Sequence, residues 1–276
     1  MRPARLISGD RLAVVLVAHG SRDPRAAAST EALARAVRRA HPGWAVRAAY
    51  LDHAGPRPLD VLASLPPGRR VVVVPLLLTA AYHGRVDIPA VLAEAAALPL
   101  DVTLADVLGP LPEPRRPSGS GTVSSLLLDG LTRRLSGARE AGRLSGAREA
   151  GRAGPDGLDA VVLAAAGTRH AAARETIKWA ADALSARLSL PCAVAYASAA
   201  PPAVGDAVAL LRAAGARRVG MAAYFLAPGF LYDLAARSAR AAGAVAVADP
   251  LGDAPELVRL VATRVDAAAP LLAPAA

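Results

Sequence analysis

Two kinds of hydrophobic pattern take turns along this chain. Leu12-Ala-Val-Val-Leu-Val17 and Val71-Val-Val-Val-Pro-Leu-Leu-Leu78 are apolar at every position. Such runs fit strands of a parallel sheet with both faces covered, because a half-exposed strand would alternate with polar residues. Residues 26–39 instead carry an alanine-rich amphipathic pattern of helical period. Ser21 or Asp23 can cap that helix, Pro24 suits its first turn, and Pro42-Gly43 stops it. Further strands are expected near 46–51 and 101–105, with helices near 58–64 and 87–97. Strands alternating with helices imply right-handed crossovers and a parallel α/β sheet.

The pattern then repeats. Val14-Val-Leu-Val-Ala-His-Gly-Ser-Arg22 parallels Val161-Val-Leu-Ala-Ala-Ala-Gly-Thr-Arg169, and each runs into an amphipathic helix. Ala49-Tyr50 parallels Ala195-Tyr196, Leu76-Leu-Leu-Thr79 parallels Tyr224-Phe-Leu-Ala227, and Ala105-Asp-Val-Leu-Gly109 parallels Ala248-Asp-Pro-Leu-Gly252. Matches in this order at nearly constant offset indicate two homologous α/β domains, each a parallel sheet with helices on both faces. Helices near 123–136 and 255–267 are expected to close the two halves. Residues 1–136 form the first domain on this reading, and residues 158–276 the second. Residues 137–157 form a flexible linker built on the nonapeptide Arg134–Gly142, which recurs unchanged as 143–151. Glu113 to Gly121, rich in Pro, Ser and Gly, reads as a loop.

Composition narrows the function classes. Hydrophobic residues make up 54% of the 276, ample for large cores. The net charge of +9 invites nucleic acid, but Lys178 is the only lysine and no basic run is interleaved with aromatics. The arginine excess fits compositional bias, or an acidic small substrate, better than a nucleic-acid partner. Cys192 stands alone, which removes disulfides, thiolate zinc sites and cysteine-ligated iron–sulfur clusters; beside Pro191 it is expected to fill a gap in the core. No apolar stretch reaches membrane-span length and no signal-peptide cleavage pattern is found, so a cytoplasmic protein is expected, with no membrane partner.

Chemistry concentrates at three strand ends of the first half. His19 follows the first strand, Asp52 ends the second and His83 follows the third. Open α/β sheets bind ligands outside the carboxyl ends of their strands. Two imidazoles and a carboxylate there suit a borderline divalent ion, and imidazoles also accept protons near neutral pH. Asp52 has competing uses, as a helix cap or as a partner of His53 or Arg57. His53 is expected to face away from its neighbour, His41 at a helix end reads as structural, and His170 falls at the start of a helix in the second half with no partner histidine there. Arg22, Arg25 and Arg85 flank the two histidines, and guanidinium forks of this kind bind carboxylates. In the second half the counterparts of His19 and His83 are Ala166 and Leu231, so that half is expected to complete a cleft rather than bind metal. Phe230 and Tyr232 can supply an apolar wall there or lie in the core.

His19-Gly-Ser-Arg-Asp-Pro24, Tyr50-Leu-Asp52 and Pro75-Leu-Leu-Leu-Thr-Ala-Ala-Tyr-His-Gly-Arg-Val-Asp-Ile-Pro89 closely resemble the sirohydrochlorin chelatase family, also called the class II cobaltochelatase or siroheme ferrochelatase type. The resemblance covers both halves, as in long members that look like a fused pair of short chelatase domains. It implies insertion of Fe²⁺ for siroheme, or Co²⁺ for cobalamin, into sirohydrochlorin, an isobacteriochlorin with eight carboxylates. It further implies no nucleotide and no cofactor beyond the substrate metal ion. His19 and His83 carry over as metal ligands and proton acceptors. Asp52 stands where relatives usually place a glutamate. The cysteine motif of cluster-containing members and the histidine-rich tract of others are absent. Arg22, Arg25 and Arg85 would hold substrate carboxylates, and the internal pairing makes a monomer sufficient. Two other readings use the same residues. One is a tetrapyrrole or metal carrier without turnover. The other is a histidine phosphatase-like hydrolase, for which Ala18 stands in place of the leading arginine.

Overall fold

The computed structural model describes residues 11–79, 88–112, 121–143 and 157–272, the side chains of 141–143 excepted. In the first half, strand β1 (Leu12–Ala18) leads to helix α1 (Pro24–Ala40), β2 (Trp44–Tyr50), α2 (Pro58–Ala63), β3 (Arg70–Pro75), α3 (Ile88–Ala95) and β4 (Asp101–Leu104). A short antiparallel ribbon, β5 (Leu111–Pro112) with β6 (Gly121–Thr122), precedes α4 (Ser125–Arg143). The second half runs β7 (Ala160–Ala165), α5 (Ala171–Leu188), β8 (Cys192–Tyr196), α6 (Val204–Ala213), β9 (Val219–Tyr224), α7 (Phe230–Ala241), β10 (Ala246–Val247) and α8 (Pro255–Ala268).

Both sheets are parallel and share one topology. The first has strand order β2-β1-β3-β4, and the second has β8-β7-β9-β10. The continuous apolar runs are explained by their two burial faces. Ala13, Val15 and Val17 of β1 join Val71 and Val73 of β3 in an outer core under α2 and α3. The alternate residues Val14, Leu16, Val72 and Val74 enter an inner core that continues without interruption into the second half.

Start and stop signals act as the sequence indicates. Asp23 caps α1 by accepting from the Arg25 N–H at 3.0 Å, with Pro24 in the first turn. At the other end His41 stacks on Trp44, with ring centroids 4.0 Å apart. The third strand is shorter than its apolar run implies. Beyond Pro75, Leu76 bonds to Val17 O, while the Leu77 N–H turns back to Pro75 O. Leu76–Leu78 thus leave the ladder and turn toward the other half.

The closing helices depart most from expectation. α4 packs on β9 and β10 of the second sheet as well as on α5 and α8, whereas α8 packs on α1 and β3 of the first. Each half therefore closes with the helix that follows the other half's sheet, and Leu127, Leu131 and Leu135 of α4 are completely buried in the shared core. α4 also contains the whole first copy of the nonapeptide expected to begin a linker; the second copy beyond Arg143 lies outside the described residues. So does most of the loop expected over 113–121, whose flanks pair as β5 and β6.

Candidate active site

In a 2-1-3-4 sheet the connections from β1 and β3 leave in opposite directions, so the switch point lies between those strands. His19 sits just past β1 at that point. Its position is set by the backbone: the Leu51 N–H donates to Ala18 O at 3.0 Å and the Asp52 N–H donates to His19 O at 2.8 Å. Gly20 makes this approach possible. Its φ is +94°, and a Cβ there would lie 1.8 Å from Asp52 O. The second half uses the same device without the imidazole, since Ser198 N–H donates to Ala166 O at 3.1 Å and Gly167 has φ +99°. This register makes Ala166 the structural counterpart of His19.

His19 opens onto a cavity of about 550 Å³ walled by both halves. Its first-half lining includes Ser21 and Leu76–Thr79, and its second-half lining includes Thr168, His170, Tyr224 and residues 225–232. That volume is in the range of small-molecule sites. The Tyr224 hydroxyl donates to Leu78 O at 2.9 Å, a fully buried bond that joins the halves behind the cavity. The two aromatic candidates divide. Phe230 is 70% exposed on the cavity wall, whereas Tyr232 is buried and its hydroxyl bonds to Ala248 O and Asp249. Leu231, the sequence counterpart of His83, also lines the cavity.

Around Asp52 the arrangement differs from what adjacency in sequence implies. His53 has φ +58°, and this left-handed turn returns its ring over its neighbour rather than away from it. His53 Nε2 lies 3.4 Å from Asp52 Oδ2, and its ring stands edge-on to His19 at a centroid distance of 6.4 Å. The His53 backbone N–H holds the Asp52 carboxyl below its usual range against the opposing effect of burial, and the neighbouring His53, Arg57 and His19 lower it further by smaller amounts. Asp52 is therefore an anion throughout the neutral range. It does not line the 550 Å³ cavity. Among the described residues, no three His, Cys, Asp or Glu side chains form a group able to hold a metal ion. His83 and Arg85 lie outside the described residues.

Arg22 is exposed beside the His19 loop. Arg25 is placed otherwise than expected for a substrate-binding arginine. Its guanidinium pairs with Asp23 and, across the halves, with Asp233, each at 2.6 Å. Those two carboxylates occupy the fork that would otherwise receive a substrate carboxylate. Burial pushes the Cys192 thiol up to about 12, which keeps it protonated at neutral pH. No described helix is long and apolar enough to cross a membrane.

The family model described as CbiX matches residues 13–114 and 160–268, one stretch in each half. The chain belongs to the CbiX family. Solved structures with the same fold include SirB from Bacillus subtilis with Fe³⁺, at 17% identity over 93% of this chain and 94% of that one, with a TM-score of 0.67. SirB from Bacillus subtilis subspecies spizizenii, described as a sirohydrochlorin chelatase in complex with cobalt, has 16% identity, the same coverage and a TM-score of 0.68. CbiX described as the terminal enzyme for biosynthesis of siroheme in denitrifying bacteria has 20% identity over 93% of this chain and 98% of that one, with a TM-score of 0.58. At such identities the likeness is one of fold, and it spans both halves. Among curated proteins, none matches the chain. The two CbiX stretches stop short of α4, so the helix that crosses to the second sheet lies between them.

Proposed function

We propose that this protein is a sirohydrochlorin chelatase that inserts Fe²⁺ or Co²⁺ into the macrocycle. The observation that carries this reading is the position of His19. In a CbiX-family fold, an imidazole stands at the switch point of the first sheet and opens onto a cavity closed by the second half.

Metal insertion replaces two pyrrole protons while the incoming ion sheds water. An imidazole at the macrocycle's face can release the ion to the ring nitrogens and accept a proton. His19 takes that role, and His83 is proposed as the second ligand and proton acceptor on the strength of its motif. Asp52, ionised at neutral pH, is proposed as a third donor or, from outside the cavity, as a charge that favours the cation nearby. Arg22 and Arg85 are proposed to hold peripheral carboxylates and so orient the ring. Arg25, already paired, is left out of that set. The apolar stretch of wall at Leu76–Leu78 suits the macrocycle's flat faces. A cytoplasmic monomer without nucleotide or resident cofactor completes the proposal.

Anaerobic incubation with sirohydrochlorin and Fe²⁺ or Co²⁺, followed by absorbance, tests it. Metallation well above the uncatalysed rate is expected, at catalytic concentrations of protein. Binding of the macrocycle with no gain in rate would identify a carrier instead.

A further inference from the structure

The second half keeps the loop architecture of the first, and the side chains it carries there differ in charge. Ser21-Arg22-Asp23 of the first half corresponds in sequence to Thr168-Arg169-His170 of the second. Thr168 and His170 line the cavity, as His19 and Ser21 do from the facing half. Asp23 is spent on Arg25, whereas its counterpart His170 brings no negative charge. Arg174 donates to the carbonyls of Thr168 at 3.3 Å and Arg169 at 3.1 Å, which braces the loop while its side chains face the cavity. The acids nearby are engaged elsewhere: Asp233 by Arg25, Asp249 by Tyr232, and Glu175 by Lys178. Between these two polar rims the wall is apolar, with Leu76, Ala165, Ile177 and Phe225 among its residues.

A ligand matched to this cavity has apolar faces and hydrogen-bonding groups on more than one edge. We propose that Thr168 and His170 form a second carboxylate-recognising rim, so that the second half selects and orients the substrate rather than merely covering the site. This proposal rests on the chelatase reading and names the residues of the second half that serve it. Each side chain can donate one hydrogen bond to a carboxylate.

The test measures binding of metal-free sirohydrochlorin to the full-length protein by fluorescence titration, followed by steady-state metallation. The double substitution Thr168→Ala/His170→Ala is expected to raise Kd about tenfold or more, the size of one or two lost carboxylate hydrogen bonds. The loss should appear in KM while kcat is retained. His170→Arg, which keeps a hydrogen-bond donor, should restore affinity on a Thr168 background. Wild-type Kd and KM in the double variant overturn the proposal while leaving the chelatase reading intact. A general packing defect predicts instead that His170→Arg binds no better than His170→Ala, and that result also overturns it. A wild-type protein that binds no sirohydrochlorin overturns the chelatase reading and this proposal together.

Discussion

At the scale of single residues, the site depends on backbone as much as on side chains. Gly20 lets the loop after β1 pass close to Asp52, and any Cβ would meet that carbonyl at 1.8 Å in a left-handed conformation. Gly20→Ala should therefore cost about 1–3 kcal/mol of stability, read by denaturant melts, and displace His19 with a larger loss of turnover. An unchanged melt and rate would mean that the loop relaxes without consequence. The sequence marks the place of His19, because the apolar run before it ends as β1 at Ala18. It hides His53. Neighbours face opposite ways only in extended backbone, and the turn at φ +58° cancels that rule. The small and turn-forming residues of Ala54-Gly55-Pro56 were the one local hint that the strand had ended. The pairing of Arg25 is hidden because its cross-half partner Asp233 is 208 positions away.

At the scale of elements, strands and helices were legible because their signals are local. Apolar runs, the Asp23 cap and the Pro42-Gly43 stop sit within the elements they define. The packing of α4 was not legible. Its apolar stripe records that it buries one face and is silent on which sheet receives it. Its contact with α8 includes an ion pair, Arg133 Nε to Glu256 at 3.0 Å, with the Glu256 side chain 11% exposed. Burial works to raise the Glu256 carboxyl, but its own backbone N–H and the Arg133 guanidinium hold it below its ordinary range. A carboxylate lowered on folding contributes stability above its unfolded pKa, and loses it as pH falls through the folded one. Glu256→Gln should thus destabilise by about 1–2 kcal/mol at pH 7, as for a partly exposed charge-assisted bond. The gap should narrow below about pH 4.5, which paired urea melts at both pH values would show. A constant gap would assign the effect to packing instead of charge.

At the scale of the whole molecule, the helix exchange interlocks the two repeated halves. The inner core runs through both, and the buried bond from Tyr224 to Leu78 O ties the strand-end segments that back the cavity. Calorimetry should show a single unfolding transition. Tyr224→Phe should lower its midpoint by the equivalent of about 1–3 kcal/mol, since it leaves a buried carbonyl without its donor. Two separate transitions would show that the halves fold alone. The repeat and the fold class were readable from matched motifs, but their interlocking depends on contacts no local pattern encodes. The second half, with Ala166 and Leu231 at the matching positions, supplies the far wall of the cavity.

The central claim is that His19 and His83 carry metal insertion. Anaerobic metallation of sirohydrochlorin by His19→Ala and His83→Ala, at saturating metal and macrocycle, tests it most directly. A fall of about a hundredfold or more in kcat for each variant is expected, as for loss of a group that transfers a proton, with sirohydrochlorin binding and the unfolding midpoint retained. Turnover at the wild-type rate in both variants would contradict the account.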